Sequence, residues 1–179
     1  MQQKENKEQP PKIYIAMACY DSVMIKTMIS MTKLVKELTK AGLEWQIETV
    51  KTPFVSKARN ILTALFLRSK YDYLLFIDAD VEFEPEAIIR MLVAKKDIIL
   101  TPYRVKLPHD ASLVKYTISF PDDKNVPILP GDLVEISEGP AGMLLIHRKV
   151  FEFLMDSCPR LKIKHPFRKE SDPYLYNFW

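Results

Sequence analysis

The sequence predicts an α/β protein built on an open, mostly parallel β-sheet with helices on both faces. Two patterns carry this prediction. Over the first hundred residues, short apolar runs alternate with longer segments of helical periodicity, in the order β-α-β-α-β-α-β. Residues 73–77 are wholly apolar, as expected of a central strand that is buried on both faces. A chain of 179 residues suits one domain of this kind.

The individual elements follow from periodicity and from the residues that end helices. Strands are predicted at residues 12–19, 45–50, 73–77 and 97–101. Helices are predicted from a cap at Asp21 or Ser22 to Lys40, at 56–69, and from Pro85 to residue 94. After Pro102 the pattern changes to a smaller mixed region, with strands at 114–120, 132–136 and 143–146 and a helix at 149–155.

Composition and charge exclude several classes of function. The chain carries 26 Lys and Arg against 23 Asp and Glu, and this formal charge of +3 is too small for bulk nucleic-acid binding. Cys19 and Cys158 lie far apart, which disfavours a zinc site and indicates free thiols. The N-terminus is polar, and the apolar runs fall short of the ~20 residues of a membrane span. We therefore expect a cytoplasmic protein with no transmembrane segment and no nucleic-acid partner.

Two acidic residues, Asp78 and Asp80, directly follow the buried strand at residues 73–77. In open α/β sheets, ligands bind in the crevice beyond the carboxyl ends of the strands. Carboxylates two residues apart in such a loop can converge on one Mg²⁺ or Mn²⁺ ion, and that ion can clamp a diphosphate. The alternative is that the pair only ends the strand or caps the helix at Pro85. The position beyond a buried strand favours the metal site.

Four segments resemble, in their order along the chain, the nucleotide-sugar half of GT-A-fold glycosyltransferases, which include family-2-like enzymes and small viral or phage members. They are VSKARN at residues 55–60, LFIDAD at 75–80, PYRVK at 102–106 and EGPAGM at 138–143. The resemblance covers about residues 12–155. It implies a GT-A-like, Rossmann-type sheet and a metal-dependent, hexosyltransferase-like enzyme. Such an enzyme transfers a sugar from a nucleoside-diphosphate sugar, with UDP favoured over GDP, to a glycan or protein-linked acceptor.

The same resemblance implies roles for individual residues. Asp80 would bind the Mn²⁺ or Mg²⁺ ion directly, and Asp78 would bind the ribose, or the metal through water. Arg59 would lie near the diphosphate or brace the acidic loop. Further donor-site positions are Ala18, Cys19, Tyr20, Asp21, Ala79, Tyr103 and Lys106. The acceptor-side positions are Gly139, Ala141 and Gly142, with Glu138 as a candidate catalytic or acceptor-orienting acid.

The resemblance also divides the chain. It implies a nucleotide-sugar-binding half at 12–106 and an acceptor-side half at 107–179, while the polar composition of residues 1–11 predicts a disordered tail. The Glu-Asp-like base motif of inverting enzymes is not found after the glycine segment. This leaves open whether the acceptor-side half is complete at its C-terminal end, and whether transfer inverts or retains configuration. The aromatic and basic residues at 158–179 are expected to fold over the acceptor side or to dock on a partner, away from Asp78, Asp80 and Arg59.

Two other functions fit the acidic pair. A phosphatase of the haloacid-dehalogenase type also places Asp-x-Asp after an apolar strand, with Asp78 then as the nucleophile. Such enzymes usually carry a threonine shortly after the second acid, whereas Val81 and Glu82 follow here, and three β-α elements precede the pair. A non-catalytic nucleotide-sugar-binding domain would explain the missing base motif. Turnover of a nucleotide sugar separates this last alternative from an enzyme.

Overall fold

A computed structural model describes residues 9–103, 116–121, 131–163 and 172–179 of the chain. Most of the tail expected at residues 1–11 lies outside these ranges. Lys106 also lies outside them, as does much of the predicted smaller region that follows Pro102. What the sequence predicts for those positions stays a prediction.

Five strands form one mixed sheet. They are β1 (Ile13–Cys19), β2 (Trp45–Lys51), β3 (Tyr73–Ile77), β4 (Ile98–Leu100) and β5 (Met143–His147). Their order across the sheet is β2-β1-β3-β5-β4. β1 pairs in parallel with β2 and with β3, whereas β5 lies antiparallel between β3 and β4. Because only β5 runs against the other four strands, the predicted open, mostly parallel sheet is confirmed.

Helices cover both faces of this sheet. They are α1 (Ile25–Lys40), α2 (Val55–Arg68), α3 (Pro85–Val93) and α4 (Arg148–Ser157). The helices α1 and α3 pack on one face, and α2 and α4 pack on the other, where residues 174–179 join them. The predicted Rossmann-type α/β class, with helices on both faces, is confirmed. Among the described residues, no helix is long and apolar enough to cross a membrane.

The strand β3 shows why its sequence is apolar throughout. Every residue of β3 is buried, since side chains alternate between the two faces and both faces are covered. Tyr73, Leu75 and Ile77 pack in the core beneath α1 and α3. Leu74 and Phe76 pack in the core beneath α2 and α4. This buried strand fixes the position at which the acidic loop leaves the sheet.

Three local predictions are wrong. Residues 116–120, the described part of the strand predicted at 114–120, form no strand and hold only isolated bridge residues, among them Ser119. The helix α1 has Met24, not Asp21 or Ser22, as its N-cap, and no side chain caps it. The Met24 N–H donates instead to the carbonyl oxygen of Ala79 at 2.9 Å, so the acidic loop supplies the acceptor. Residues 132–136 form no strand, because Leu133 is exposed and the backbone pairs only beyond this run, where Glu138 bridges Ser119.

Candidate functional site

The acidic loop begins where β3 ends, at the edge of the sheet that also holds the carboxyl end of β1. The Asp78 N–H donates to the carbonyl oxygen of Gly142 at 2.8 Å, which ties the start of the loop to the segment before β5. The Asp78 side chain is 31% exposed, and Asp80 is exposed. One carboxylate is thus anchored against the protein, and the second is open to solvent.

Arg59, on the first turns of α2, forms an ion pair with Asp78. Its Nη2 lies 2.8 Å from Asp78 Oδ1, and the same nitrogen lies 3.4 Å from the carbonyl oxygen of Ala141. The Arg59 side chain is only 14% exposed, so solvent screens this pair less than a surface pair. The predicted alternative in which Arg59 braces the acidic loop agrees with this geometry.

Tyr103 and Gly142 complete the surroundings of Asp78. A Cβ placed on Gly142 would lie 3.0 Å from Asp78 Oδ2 and 3.0 Å from the Tyr103 hydroxyl, so both groups crowd the glycine. Burial raises the pKa of Tyr103, and the nearby charges of Asp78 and Asp80 raise it further while Arg59 opposes them. The Tyr103 hydroxyl therefore stays protonated at neutral pH and can donate a hydrogen bond.

A shallow depression of about 560 Å³ opens beside the ends of β1 and β2. It is lined by Tyr20, Asp21, Lys51, Thr52 and Pro53. Lys51 Nζ lies 2.7 Å from Asp21 Oδ1, and the Thr52 N–H donates to the carbonyl oxygen of Cys19 at 3.1 Å. The predicted loop at 18–21 thus forms one wall of a concave surface at the sheet edge where ligands bind in such folds.

Sequence reasoning missed the opposite wall of this depression. Lys51 pairs with Cys19 in the parallel register of β1 and β2. The sequence did contain a signal for it, because neighbouring parallel strands end at the same edge of a sheet. The residues that follow the strand predicted at 45–50 therefore lie beside those that follow the strand predicted at 12–19. Lys51, Thr52 and Pro53 could have been included on that ground.

The acidic loop is held to α1 along its length. Phe83 donates its N–H to the Ser30 hydroxyl at 3.1 Å, and Ser30 is buried. Two exposed ion pairs to α1, Lys26–Glu82 and Lys33–Glu84, flank this contact. The loop that carries Asp78 and Asp80 is therefore fixed at Ala79 and Phe83 as well as at its start.

The predicted acceptor-side residues fall into two groups. Ala141 and Gly142 lie at the acidic cluster, through the Ala141 carbonyl and the close approach of Gly142 to Asp78. Glu138 is exposed and pairs through its backbone with Ser119. A Cβ on Gly139 would lie 2.5 Å from a methyl group of Leu100, so this glycine serves the packing of Leu100. No described contact joins Glu138 to Asp78, and its catalytic role stays a prediction.

The expectation that residues 158–179 lie away from Arg59 is wrong. The Arg59 guanidinium carbon lies 5.6 Å from the centre of the Trp179 ring, and Trp179 meets Phe76 of β3 edge-to-face at 5.1 Å. The physical reason is that α2 and β3 expose an apolar surface next to Arg59, and the aromatic residues at 174–179 cover it. This segment thus borders the acidic cluster.

Comparison with protein families agrees with this fold. The Anp1 family model matches residues 14–119, and the chain belongs to this family, which is related to glycosyltransferases. The matched range runs from β1 past β4 and includes Arg59, Asp78, Asp80 and Tyr103. Comparison with curated proteins gives no significant match.

Solved structures with a similar fold include A197 from STIV, which is 21% identical over 90% of this chain and 73% of that chain, with a TM-score of 0.50. A 4-diphosphocytidyl-2C-methyl-D-erythritol synthase from Anaerococcus prevotii is 14% identical over 87% and 80%, with a TM-score of 0.43. A glycosyltransferase involved in glycosylation of the major capsid of PBCV-1 is 12% identical over 83% and 68%, with a TM-score of 0.41. The likeness to A197 concerns the fold alone.

Proposed function

We propose that this protein is a metal-dependent glycosyltransferase that takes its sugar from a nucleoside-diphosphate sugar. The observation that carries the proposal is the pair Asp78 and Asp80 at the carboxyl end of β3, with Arg59 and Tyr103 beside it. Membership of a glycosyltransferase-related family supports the same activity. We propose further that the acceptor is a glycan or a glycoprotein.

The described side chains fit a divalent cation that is shared with the donor. No group of three or more His, Cys, Asp or Glu side chains suited to a metal occurs among the described residues. A fully protein-made cage is therefore not the arrangement proposed. Mg²⁺ typically keeps several waters and binds through one or two carboxylates together with substrate phosphates. Asp80 is exposed, whereas Asp78 Oδ1 is already paired with Arg59, so Asp80 is proposed as the direct ligand.

The remaining residues suggest how the donor would be oriented. The depression beside Tyr20 and Asp21 can receive the nucleoside, with the exposed Tyr20 ring available to stack on the base. The diphosphate would then extend along the sheet edge towards Asp80, where a bound cation would neutralise the charge of the leaving group. The protonated Tyr103 hydroxyl can donate a hydrogen bond to the sugar or to a phosphate oxygen.

Calorimetric titration tests this function. We expect UDP to bind in the presence of Mn²⁺ or Mg²⁺ and to lose most of its affinity in EDTA, because two nearby carboxylates repel a bare diphosphate. The resemblance to GT-A-fold enzymes favours UDP over GDP as the donor nucleotide, so GDP is expected to bind more weakly. Equal affinity for UDP with and without metal would contradict the proposed role of the acidic pair.

Turnover assays separate the competing functions. Hydrolysis of a UDP-sugar, or its transfer to an acceptor, supports the glycosyltransferase. Release of phosphate from a phosphomonoester would support the phosphatase with Asp78 as its nucleophile. Metal-dependent UDP binding without turnover of any donor sugar would support a non-catalytic nucleotide-sugar-binding domain.

Gly142 provides a second test of the site. Replacing Gly142 by alanine puts a methyl group 3.0 Å from Asp78 Oδ2 and from the Tyr103 hydroxyl, so one of them must shift. We expect a several-fold loss of UDP affinity with Mn²⁺, because the Asp78 carboxylate or the Tyr103 hydroxyl must move by a few tenths of an ångström out of its position in the site. Titration calorimetry measures this loss.

The control for this change is Gly42→Ala. Gly42 lies just after α1 with φ +69°, and a Cβ added there would meet nothing within 4 Å, so alanine costs stability through backbone strain alone. Its UDP affinity should match that of the unchanged protein. If Gly142→Ala binds UDP and Mn²⁺ as tightly as Gly42→Ala does, the proposed position of the ligand next to Asp78 is wrong.

A further inference from the structure

The guanidinium of Arg59 lies in a corner made by two aromatic rings. Its central carbon is 5.8 Å from the centre of Phe76 and 5.6 Å from the centre of Trp179. The two rings meet edge-to-face, with an angle of 79° between their planes. Arg59 Nε is buried and has no hydrogen-bond partner among the described residues.

Trp179 is itself fixed to the helix that carries Arg59. Its indole Nε1–H donates to the Thr63 hydroxyl at 3.1 Å, and its backbone N–H donates to Asn60 Oδ1 at 3.2 Å. The Phe178 N–H donates to the same Asn60 oxygen at 2.9 Å, while Asn60 Nδ2 donates to Asn177 Oδ1 at 3.0 Å. Asn60 is 5% exposed and has both ends of its amide engaged, which makes it a buried polar anchor for this segment.

We infer that Trp179 is a positioning residue for the donor site. Its ring holds the Arg59 guanidinium in place against Asp78. An arginine has many rotamers, and the ion pair through Nη2 fixes only one end of the guanidinium. The Trp179 ring removes most of that freedom on one side, and Asp78 Oδ1 then fixes the other side. The acidic loop is thereby ordered by a residue 101 positions away in sequence from Asp78.

This role in donor binding rests on the proposed function, but the ordering of Arg59 does not. It can be measured in the protein alone by NMR, through the Nε–H signal of Arg59 and its coupling to slowly rotating Nη groups. The signal is assigned by its loss in Arg59→Lys. We expect a slowly exchanging Arg59 signal in the unchanged protein and a broadened or lost one in Trp179→Leu.

Phe178→Leu is the matched control, because Phe178 stacks on Tyr176 and meets Phe151 instead. It should lower the melting temperature as Trp179→Leu does, yet keep the Arg59 signal. Trp179→Phe keeps an aromatic ring but loses the bond to Thr63 and part of the ring area, so it should keep more of the signal than Trp179→Leu does. An Arg59 signal that is unchanged in Trp179→Leu would overturn the inference, as would equal loss in Phe178→Leu.

The consequence for binding is measured separately, at a temperature at which every variant is folded. With Mn²⁺ present, Trp179→Leu should weaken UDP binding about tenfold, which lies between the values of an exposed and a desolvated cation–π contact, whereas Phe178→Leu should change it less than about twofold. If the unchanged protein binds no UDP with Mn²⁺, the proposed function fails while the NMR result still decides the role of Trp179. If UDP binds and Trp179→Leu binds it as tightly as Phe178→Leu, the positioning role in donor binding is wrong.

Discussion

Replacing Asp80 by asparagine is expected to lower the affinity for UDP in the presence of Mn²⁺ by more than about 100-fold. Loss of an outer-shell partner of a metal ligand alone typically costs about 10–100-fold, and Asp80 is proposed to bind the ion directly. The change should leave the melting temperature nearly unaltered, because Asp80 is exposed and asparagine has the same shape. Calorimetric titration of UDP with Mn²⁺ and with EDTA measures the effect.

Two variants of the same loop sharpen this result. Glu82→Gln removes an exposed carboxylate that is paired with Lys26, so UDP affinity should be nearly unchanged. Asp78→Asn removes the partner of Arg59 and should weaken UDP binding less than Asp80→Asn does, but lower the melting temperature more. Tight, EDTA-sensitive binding of UDP by Asp80→Asn would refute the assignment of Asp80 as the metal ligand.

The fold was predictable from the sequence where one periodicity dominates. The apolar run at residues 73–77 requires burial on both faces, and the alternation before it requires a parallel sheet covered by helices. The place of β5 was not predictable, because the pattern at residues 143–146 identifies a strand but not its neighbours. Its antiparallel insertion between β3 and β4 depends on pairing and packing across distant parts of the chain.

The candidate site was predictable only in part, for a similar reason. Asp78 and Asp80 follow directly from their position after a buried strand. Arg59, Tyr103 and Gly142 were placed at the site only by the resemblance, because they meet Asp78 through the packing of α2 and of the segment before β5. Trp179 carries no local motif, and the VSKARN segment that ends at Asn60 does not show that the Asn60 amide is buried against residues 177–179. Contacts between residues so far apart in the chain become visible only in the folded structure.

Arg148 shows the same limit. Its replacement by methionine is expected to destabilise the protein by about 2–4 kcal/mol, because a partly buried, charge-assisted network is lost. Its guanidinium donates to the backbone carbonyls at the end of α2 and just beyond, at distances of 2.8–3.1 Å, namely those of Phe66, Leu67, Ser69 and Tyr71. The Phe66 carbonyl also accepts from the N–H and the hydroxyl of Ser69, and the negative end of the helix dipole favours a cation beside this group of carbonyls. Urea denaturation measures the free energy of unfolding.

Methionine fills the space but removes the hydrogen bonds that Arg148 donates to the carbonyls of Leu67, Ser69 and Tyr71, whereas the Phe66 carbonyl keeps its bonds from Ser69. The Arg148 guanidinium also lies over the Phe66 ring, 4.5 Å from its centre. Burial lowers the pKa of Arg148, which shows that its charge is partly desolvated and is stabilised by these hydrogen bonds. Arg148→Lys should recover only part of the loss, since one ammonium group cannot reach all the carbonyls that a planar guanidinium fork does.

Arg68→Met is the control, because Arg68 is exposed at the end of α2 and pairs with Asp172, so it should cost less than about 1 kcal/mol. If Arg148→Met unfolds at the same urea concentration as Arg68→Met, the carbonyl network contributes little to stability, and α4 is held to α2 by the contacts of Phe151 with Phe66 instead.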